Sequence, residues 1–88
     1  MNDPMPHPAP VLVEFIDTTY APPASVTNDT ELVRSEVIDS YGILELITFI
    51  ETRFDVKIPD EDVQPNNFRT VDAMCAMIAR LRSEDDAA

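Results

Sequence analysis

The chain has 88 residues, so it forms one small domain at most, and folding can bury only about 60–65% of its unfolded surface. Seventeen acidic residues against six basic ones give a formal net charge of −11, which disfavours binding to nucleic acid or anionic lipid. A single Cys excludes an internal disulfide, and a single His leaves little material for a metal centre or a nucleophilic site.

Residues 1–10 carry proline at four alternate positions, which predicts a flexible or polyproline-like tail. The single histidine, His7, lies in this tail, and we expect it to have no fixed partner and no catalytic role. The segment lacks the basic and apolar regions of a signal peptide, and no later run of the chain is apolar enough to span a membrane. We therefore expect a protein of the reduced cytoplasm with no membrane contact.

The first helix is predicted from Val11 to Tyr20, because apolar residues recur there with helical spacing, and Pro22-Pro23 ends it. Residues 21–38 form a long connection, and loops of this length are more often functional than incidental. Its apolar residues are expected to pin the segment across the helices; they are Leu32, Val33, Val37 and Ile38.

The second helix is predicted from Ser40 to Phe54. The apolar stripe that should face the core comprises Ile43, Leu46, Ile47, Ile50 and Phe54. The opposite side carries Tyr41, Leu44, Glu45, Thr48, Glu51 and Thr52. Gly42, in the first turn, either allows a partner or a group on Ser40 to approach closely, or is simply a tolerated glycine at a helix start.

A short third helix is predicted at Pro59, where three acidic residues complement the helix dipole on a solvated face: Asp60, Glu61 and Asp62. Phe68 is a predicted buried anchor, and Thr70 is a predicted N-cap of the last helix. On that helix Cys75 lies on the apolar stripe, and Arg80 should complement the C-terminal end of the dipole.

The predicted fold is therefore all-α: a small four-helix bundle with three main helices, one short helix and a long loop between the first two. We assign residues 1–10 to the tail, residues 11–82 to the domain, and residues 83–88 to a frayed acidic tail.

Ser40 follows Asp39 at the predicted start of the second helix, and this pattern suits the covalent attachment of a group. A phosphodiester on Ser40 would place its negative charge at a helix N-terminus, where the dipole favours it by about 0.3–1 kcal/mol. Taken alone, a serine here is more often a plain N-cap. A hydrolase that uses Ser40 is a poor alternative, because no histidine is placed to activate the hydroxyl.

Three motifs in this order resemble the acyl carrier proteins and peptidyl carrier domains. They are Asp39-Ser40-x-x-x-Leu44-Glu45-Leu46, then Phe54-Asp55-Val56-x-Ile58-Pro59-Asp60-Glu61-Asp62, then Phe68-x-Thr70-Val71. The resemblance spans roughly residues 11–82 and is specific when the motifs are taken together. It implies a four-helix carrier in which a phosphopantetheinyl transferase joins 4′-phosphopantetheine from coenzyme A to Ser40. The terminal thiol would then hold an acyl or aminoacyl group as a thioester, and the protein itself would not be catalytic.

The resemblance also implies a partner surface that enzymes with basic docking surfaces would bind. On the second helix it comprises Asp39, Tyr41, Leu44, Glu45, Thr48 and Glu51, and on the short helix Asp60 and Glu61. We expect a monomer that visits the transferase, a loading enzyme and downstream biosynthetic enzymes, with no metal ion.

Many carriers of fatty acid synthesis have Gly-x-Asp-Ser-Leu where this chain has Val37-Ile38-Asp39-Ser40-Tyr41. The form found here is more similar to stand-alone carriers of specialised pathways and to D-alanyl carriers, which are commonly loaded by a discrete adenylating ligase. An acyltransferase is the alternative loading enzyme. Carriage of a fatty acid or polyketide chain is the alternative, and the sequence leaves open whether the core opens for such a chain. A non-covalent acidic interaction module is the alternative of another class.

Overall fold

The computed structural model describes residues 7–87, with side chains for residues 7–83, as three α-helices and two short 3-10 turns. The helices are α1 (Pro8–Tyr20), α2 (Ser40–Phe54) and α3 (Val71–Ala87). The described residues contain no strand, so the all-α prediction is confirmed.

Helix α1 begins at Pro8, not at Val11 as predicted, so residues 8–10 are helical and do not belong to a tail. Proline is tolerated in a first turn because the amide N–H that it lacks has no intrahelical acceptor there. His7 caps this end, since its Nδ1 accepts a hydrogen bond of 3.1 Å from the Ala9 amide. The expectation that His7 has no fixed partner is therefore wrong. Residues 1–6 of the predicted tail lie outside the described residues.

Helix α2 has the predicted bounds, and its core stripe is confirmed. Leu46, Ile50 and Phe54 are buried, while Ile43 and Ile47 are half-buried against the same core. Both α1 and α2 end in a left-handed residue, Ala21 at φ 44° and Asp55 at φ 55°. Glycine usually occupies such positions, but the only glycine of this chain lies within α2.

The long connection between α1 and α2 is anchored at both ends of its course. Leu32 and Ile38 are buried as predicted, and the Leu32 amide donates to the Arg69 carbonyl at 2.8 Å. Val33 is exposed, contrary to the prediction, whereas Val26 is buried. The Val26 amide donates to Asp17 of α1 at 3.1 Å, and this contact carries the loop back across the helix end.

The predicted short third helix is a 3-10 turn at Asp60–Asp62, followed by a second one at Pro65–Asn67. Asp62 is not on a solvated face: it is 7% exposed and pairs with Arg80 of α3 at 2.5 Å. The prediction that Arg80 complements the C-terminal end of the dipole is wrong, because α3 continues to Ala87 and its last turn contains no basic residue. Arg80 instead connects the 3-10 turn to α3 through Asp62. Phe68 is fully buried, as predicted.

Helix α3 begins as predicted, since the Thr70 hydroxyl accepts a hydrogen bond of 3.0 Å from the Ala73 amide. Its apolar face is fully buried at Val71, Met74 and Ile78, and Cys75 is half-buried beside it. Burial raises the pKa of the Cys75 thiol, and the Asp72 carboxylate adds to the effect. The helix continues to Ala87, so residues 83–87 are helical and not a frayed tail.

Candidate functional site

Ser40 is the first residue of α2, and it is exposed. Asp39 precedes it as the N-cap, in an extended conformation, and Asp39 Oδ1 accepts a hydrogen bond of 3.0 Å from the Gly42 amide. The Ile43 amide donates to the Asp39 carbonyl at 3.0 Å, which closes the first turn. Asp39, and not Ser40, is thus the capping residue, so the Ser40 hydroxyl is not needed for the cap.

Gly42 is buried in the first turn of α2, and its lack of a side chain is required by internal packing. A Cβ at this position would lie 2.8 Å from Ile38 Cγ2 and 3.2 Å from the Tyr20 hydroxyl. The interpretation of Gly42 as open space for a partner is therefore wrong. The glycine lets Ile38 and the end of α1 pack closely against the helix start that carries Ser40.

Tyr20, the last residue of α1, bonds to the beginning of α2. Its hydroxyl donates to a carboxylate oxygen of Glu45 at 2.5 Å and lies 3.4 Å from the Gly42 carbonyl oxygen. Burial and the Glu45 carboxylate together hold the pKa of Tyr20 well above its usual value. The sequence predicted Tyr20 only as an apolar residue of the first helix. The spacing of residues along one helix does not show a contact with a residue 25 positions away in another helix.

The exposed side of α2 carries large apolar side chains beside Ser40. Tyr41 is 78% exposed and Leu44 is 59% exposed. Together with Phe15 and Thr19 of α1 they line an open groove of about 650 Å³ between the two helices. The sequence placed five α2 residues of the groove on the exposed side of the helix, namely Tyr41, Leu44, Glu45, Thr48 and Thr52. It missed Phe49 of α2 and both α1 residues, because no residue spacing shows which helix lies next to α2.

Some carboxylates of the predicted acidic surface accept hydrogen bonds from the fold itself, whereas others are simply exposed to solvent. Glu45 accepts from Tyr20, and Glu51 accepts a hydrogen bond of 2.9 Å from the Ile58 amide. Asp60 and Glu61, on the first 3-10 turn, are exposed. With Asp39, which accepts from the Gly42 amide, three of the five predicted partner-binding carboxylates are thus also engaged in internal contacts of the fold.

Among the side chains described, those of residues 7–83, no group of three or more His, Cys, Asp or Glu is arranged to hold a metal ion. None of the helices within residues 7–87 combines the length and apolar character that crossing a membrane requires.

Comparison with known proteins agrees with this geometry. The family described as "Phosphopantetheine attachment site" matches residues 10–78. The D-alanyl carrier protein of Streptococcus thermophilus, found alike in three strains, is 29% identical over 72 residues, which cover 82% of this chain and 91% of that protein.

A solved chain is similar in fold. It belongs to a crystal structure described as that of an FAD-dependent dehydrogenase, with a TM-score of 0.69 and 27% identity, over 78% of this chain and 100% of that chain.

The family match extends over most of the sequence, from the first turn of α1 into α3. The chain therefore belongs to the phosphopantetheine attachment family, and it is a non-catalytic carrier protein whose cofactor is 4′-phosphopantetheine.

Proposed function

We propose that Ser40 carries the 4′-phosphopantetheine. The observation that supports this most directly is the exposed Ser40 hydroxyl at the first position of α2, with capping done by the neighbouring Asp39. A phosphodiester at this position suits the positive end of the helix dipole. When bound, the group supplies the flexible arm and thiol that hold a thioester, while the protein supplies position and recognition.

In the attachment step the Ser40 oxygen gives up its proton and forms a bond to the phosphorus that bears the pantetheine in coenzyme A. The bond from that phosphorus to the other phosphate oxygen breaks, and adenosine 3′,5′-bisphosphate leaves. The step is catalysed by a phosphopantetheinyl transferase, because the described residues near Ser40 include no histidine that could act as the base.

Intact-mass spectrometry tests this assignment directly. The protein is incubated with coenzyme A and a transferase of broad specificity, and a gain of one phosphopantetheinyl group is expected. The Ser40→Ala variant should gain nothing, while Ser83→Ala, which alters another exposed serine, should be modified as fully as wild type. A gain that persists in Ser40→Ala would overturn the assignment.

For the cargo, we propose an aminoacyl or specialised acyl group that a discrete adenylating ligase loads. The similarity to the D-alanyl carrier protein supports it, because that protein's name identifies an aminoacyl cargo. The test is thioester formation on the holo protein with ATP, a panel of amino acids and candidate ligases. Loading only by an acyltransferase with malonyl or fatty acyl groups would indicate the fatty acid or polyketide alternative instead.

We propose that the partner enzymes bind the exposed face of α2 and the first 3-10 turn. The surface comprises Asp39, Tyr41, Leu44, Glu45, Thr48, Glu51, Asp60 and Glu61. The net charge of −11 supports basic docking surfaces on the partners, with fast association that depends on salt. Reversal of exposed Asp60 and Glu61 to lysine should slow association with a loading ligase, measured by stopped flow.

A flavin-dependent dehydrogenase is a specific candidate for a downstream partner. This 88-residue protein covers the whole of the similar solved chain, so that chain has the size of a carrier protein. The crystal structure that contains it is nevertheless described as that of an FAD-dependent dehydrogenase. A dehydrogenase that oxidises the carried acyl or aminoacyl group would fit this observation. Flavin reduction on mixing loaded holo protein with such an enzyme, absent with the free acid, is the expected result.

We further propose that the protein acts in the cytoplasm as a monomer. The transferase and coenzyme A are available there, and repeated exchange between enzymes requires that the α2 face stay accessible. Size-exclusion chromatography with light scattering should give a mass near 9.9 kDa.

A further inference from the structure

The groove between α1 and α2 starts beside Ser40. The α2 residues that line it run from Tyr41 in the first turn to Thr52 in the last. Its floor includes the stacked rings of Phe15 and Phe49, whose centroids lie 4.1 Å apart. Its volume of about 650 Å³ falls in the range of ligand clefts, which is about 300–1,000 Å³.

The length of the groove matches the length of the phosphopantetheine arm. From Tyr41 to Thr52 the axis of α2 advances about 16 Å, at about 1.5 Å per residue. The arm, from phosphorus to sulfur, extends about 15 Å if its chain of single and amide bonds has the rise of an extended peptide. If an arm starts at Ser40 and lies along the groove, its sulfur therefore reaches the far end of the groove, near Thr52.

The lining also suits the chemistry of the arm, which alternates apolar carbons with two amides and a hydroxyl. The half-buried rings of Phe15 and Phe49 offer apolar contact to its geminal methyl groups. Three lining hydroxyls can donate to or accept from its amides, and these belong to Thr19, Tyr41 and Thr52. The Thr48 hydroxyl donates to the Leu44 carbonyl and can still accept. The one carboxylate in the groove, that of Glu45, accepts from Tyr20.

We propose that the phosphopantetheine arm on Ser40 folds back into this groove and rests between α1 and α2 when no enzyme is bound. The proposal rests on the proposed attachment to Ser40. In this arrangement Phe15 and Thr19 of α1 contact the arm. Tyr41 and Leu44, which belong to the proposed partner surface, contact the arm when no partner is bound. An enzyme that binds the α2 face would then displace the arm from the groove into its own active site.

Two-dimensional ¹⁵N–¹H NMR of the apo and holo proteins tests the proposal. Modification should shift amides along the groove, including those of Thr19 and Thr52, which lie far along the chain from Ser40. Isotope-filtered spectra should show contacts between the geminal methyl groups of the arm and the ring protons of Phe15 and Phe49. In Thr19→Val these contacts and shifts should weaken, whereas Thr18→Val, which alters an exposed threonine outside this groove, should leave them unchanged.

Failure of the attachment to Ser40 and failure of the arm to occupy the groove give different experimental results. If mass spectrometry shows no modification at Ser40, the proposed attachment is wrong. If the protein is fully modified but only the amides next to Ser40 shift, with no contact to Phe15 or Phe49, the arm is solvated and the groove proposal is overturned. Equal effects of Thr19→Val and Thr18→Val would also overturn it.

Discussion

The hydroxyl of Tyr20, at the end of α1, donates a hydrogen bond of 2.5 Å to the Glu45 carboxylate in α2. Twenty-five positions separate the two residues, so the contact spans the whole connecting loop. It joins the α1 end to the first two turns of α2, where Ser40 begins the helix. Because Glu45 accepts this hydrogen bond, its carboxylate is already engaged within the fold, unlike the exposed Asp60 and Glu61.

Tyr20→Phe should lower the free energy of unfolding by about 1 kcal/mol, because it removes this hydrogen bond and leaves the ring packed. Urea denaturation followed by circular dichroism measures the loss. Tyr41→Phe is the matched control, since Tyr41 is 78% exposed, and it should change stability little. Equal losses in the two variants would contradict the importance of the contact between Tyr20 and Glu45.

Asp39 has a structural role that can be separated from its charge. Asp39→Ala removes the N-cap of α2 and should cost about 1 kcal/mol, whereas Asp39→Asn keeps a good capping side chain and should cost much less. Denaturation of both variants measures the cap. Slower modification in Asp39→Asn, at nearly unchanged stability, would show that the transferase also recognises the charge; a large stability loss in that variant would contradict the capping geometry.

Gly42→Ala should destabilise the protein although alanine is the better helix former. The added Cβ would lie 2.8 Å from Ile38 Cγ2, and overpacking of this kind typically costs about 1–3 kcal/mol. The gain in helix propensity, about 1 kcal/mol, equals the lower end of that cost, so the net loss should be at most about 2 kcal/mol.

A double-mutant cycle with Ile38→Gly provides the control for Gly42→Ala. Because the new Cβ would lie 2.8 Å from Ile38 Cγ2 and 2.9 Å from Ile38 Cβ, only removal of the whole Ile38 side chain makes room for it, and Gly42→Ala should cost less in that background than in wild type. Additive effects of the two substitutions would show that Ile38 does not impose the constraint.

Arg80→Ala should lower the free energy of unfolding by about 1–3 kcal/mol, because it leaves the carboxylate of Asp62 buried without its ion-pair partner. Thermal denaturation at neutral pH measures the loss. The Glu31–Arg69 pair is the comparison, since both its side chains are substantially exposed. Arg69→Ala should cost less than Arg80→Ala, and the opposite order would be incompatible with the burial of Asp62.

The Glu31–Arg69 pair makes stability depend on pH in a defined direction. The hydrogen bond from Arg69, with the attraction of its charge, holds the pKa of Glu31 below its usual value of 4.5. A carboxyl group whose folded-state pKa is lowered stabilises the fold above the unfolded pKa and loses this effect as pH falls through the folded one. Wild type should therefore be more stable than Glu31→Gln at pH 7, and the difference should shrink below about pH 4.5. A constant difference down to pH 2 would contradict the ion pair.

The sequence by itself determined the elements that rely on local chemistry. The bounds of α2 follow from an apolar stripe of helical period, and the Thr70 cap and the buried Phe68 were likewise predictable. The ordered motifs around Ser40 were sufficient to identify the carrier family, which the family match over residues 10–78 then confirmed. Local signals suffice in these cases because caps, turns and periodicity act over a few residues.

Only the tertiary structure decided which residues meet at the start of α2. Tyr20 reaches Gly42 from the end of α1, and Ile38, four residues before Gly42, lies against the same spot, which makes the glycine a packing requirement rather than an opening. The same packing places Phe15 against Phe49 and so forms the groove beside Ser40. Residue spacing defines the faces of one helix, but the neighbour of each face depends on how the whole chain buries its apolar surface.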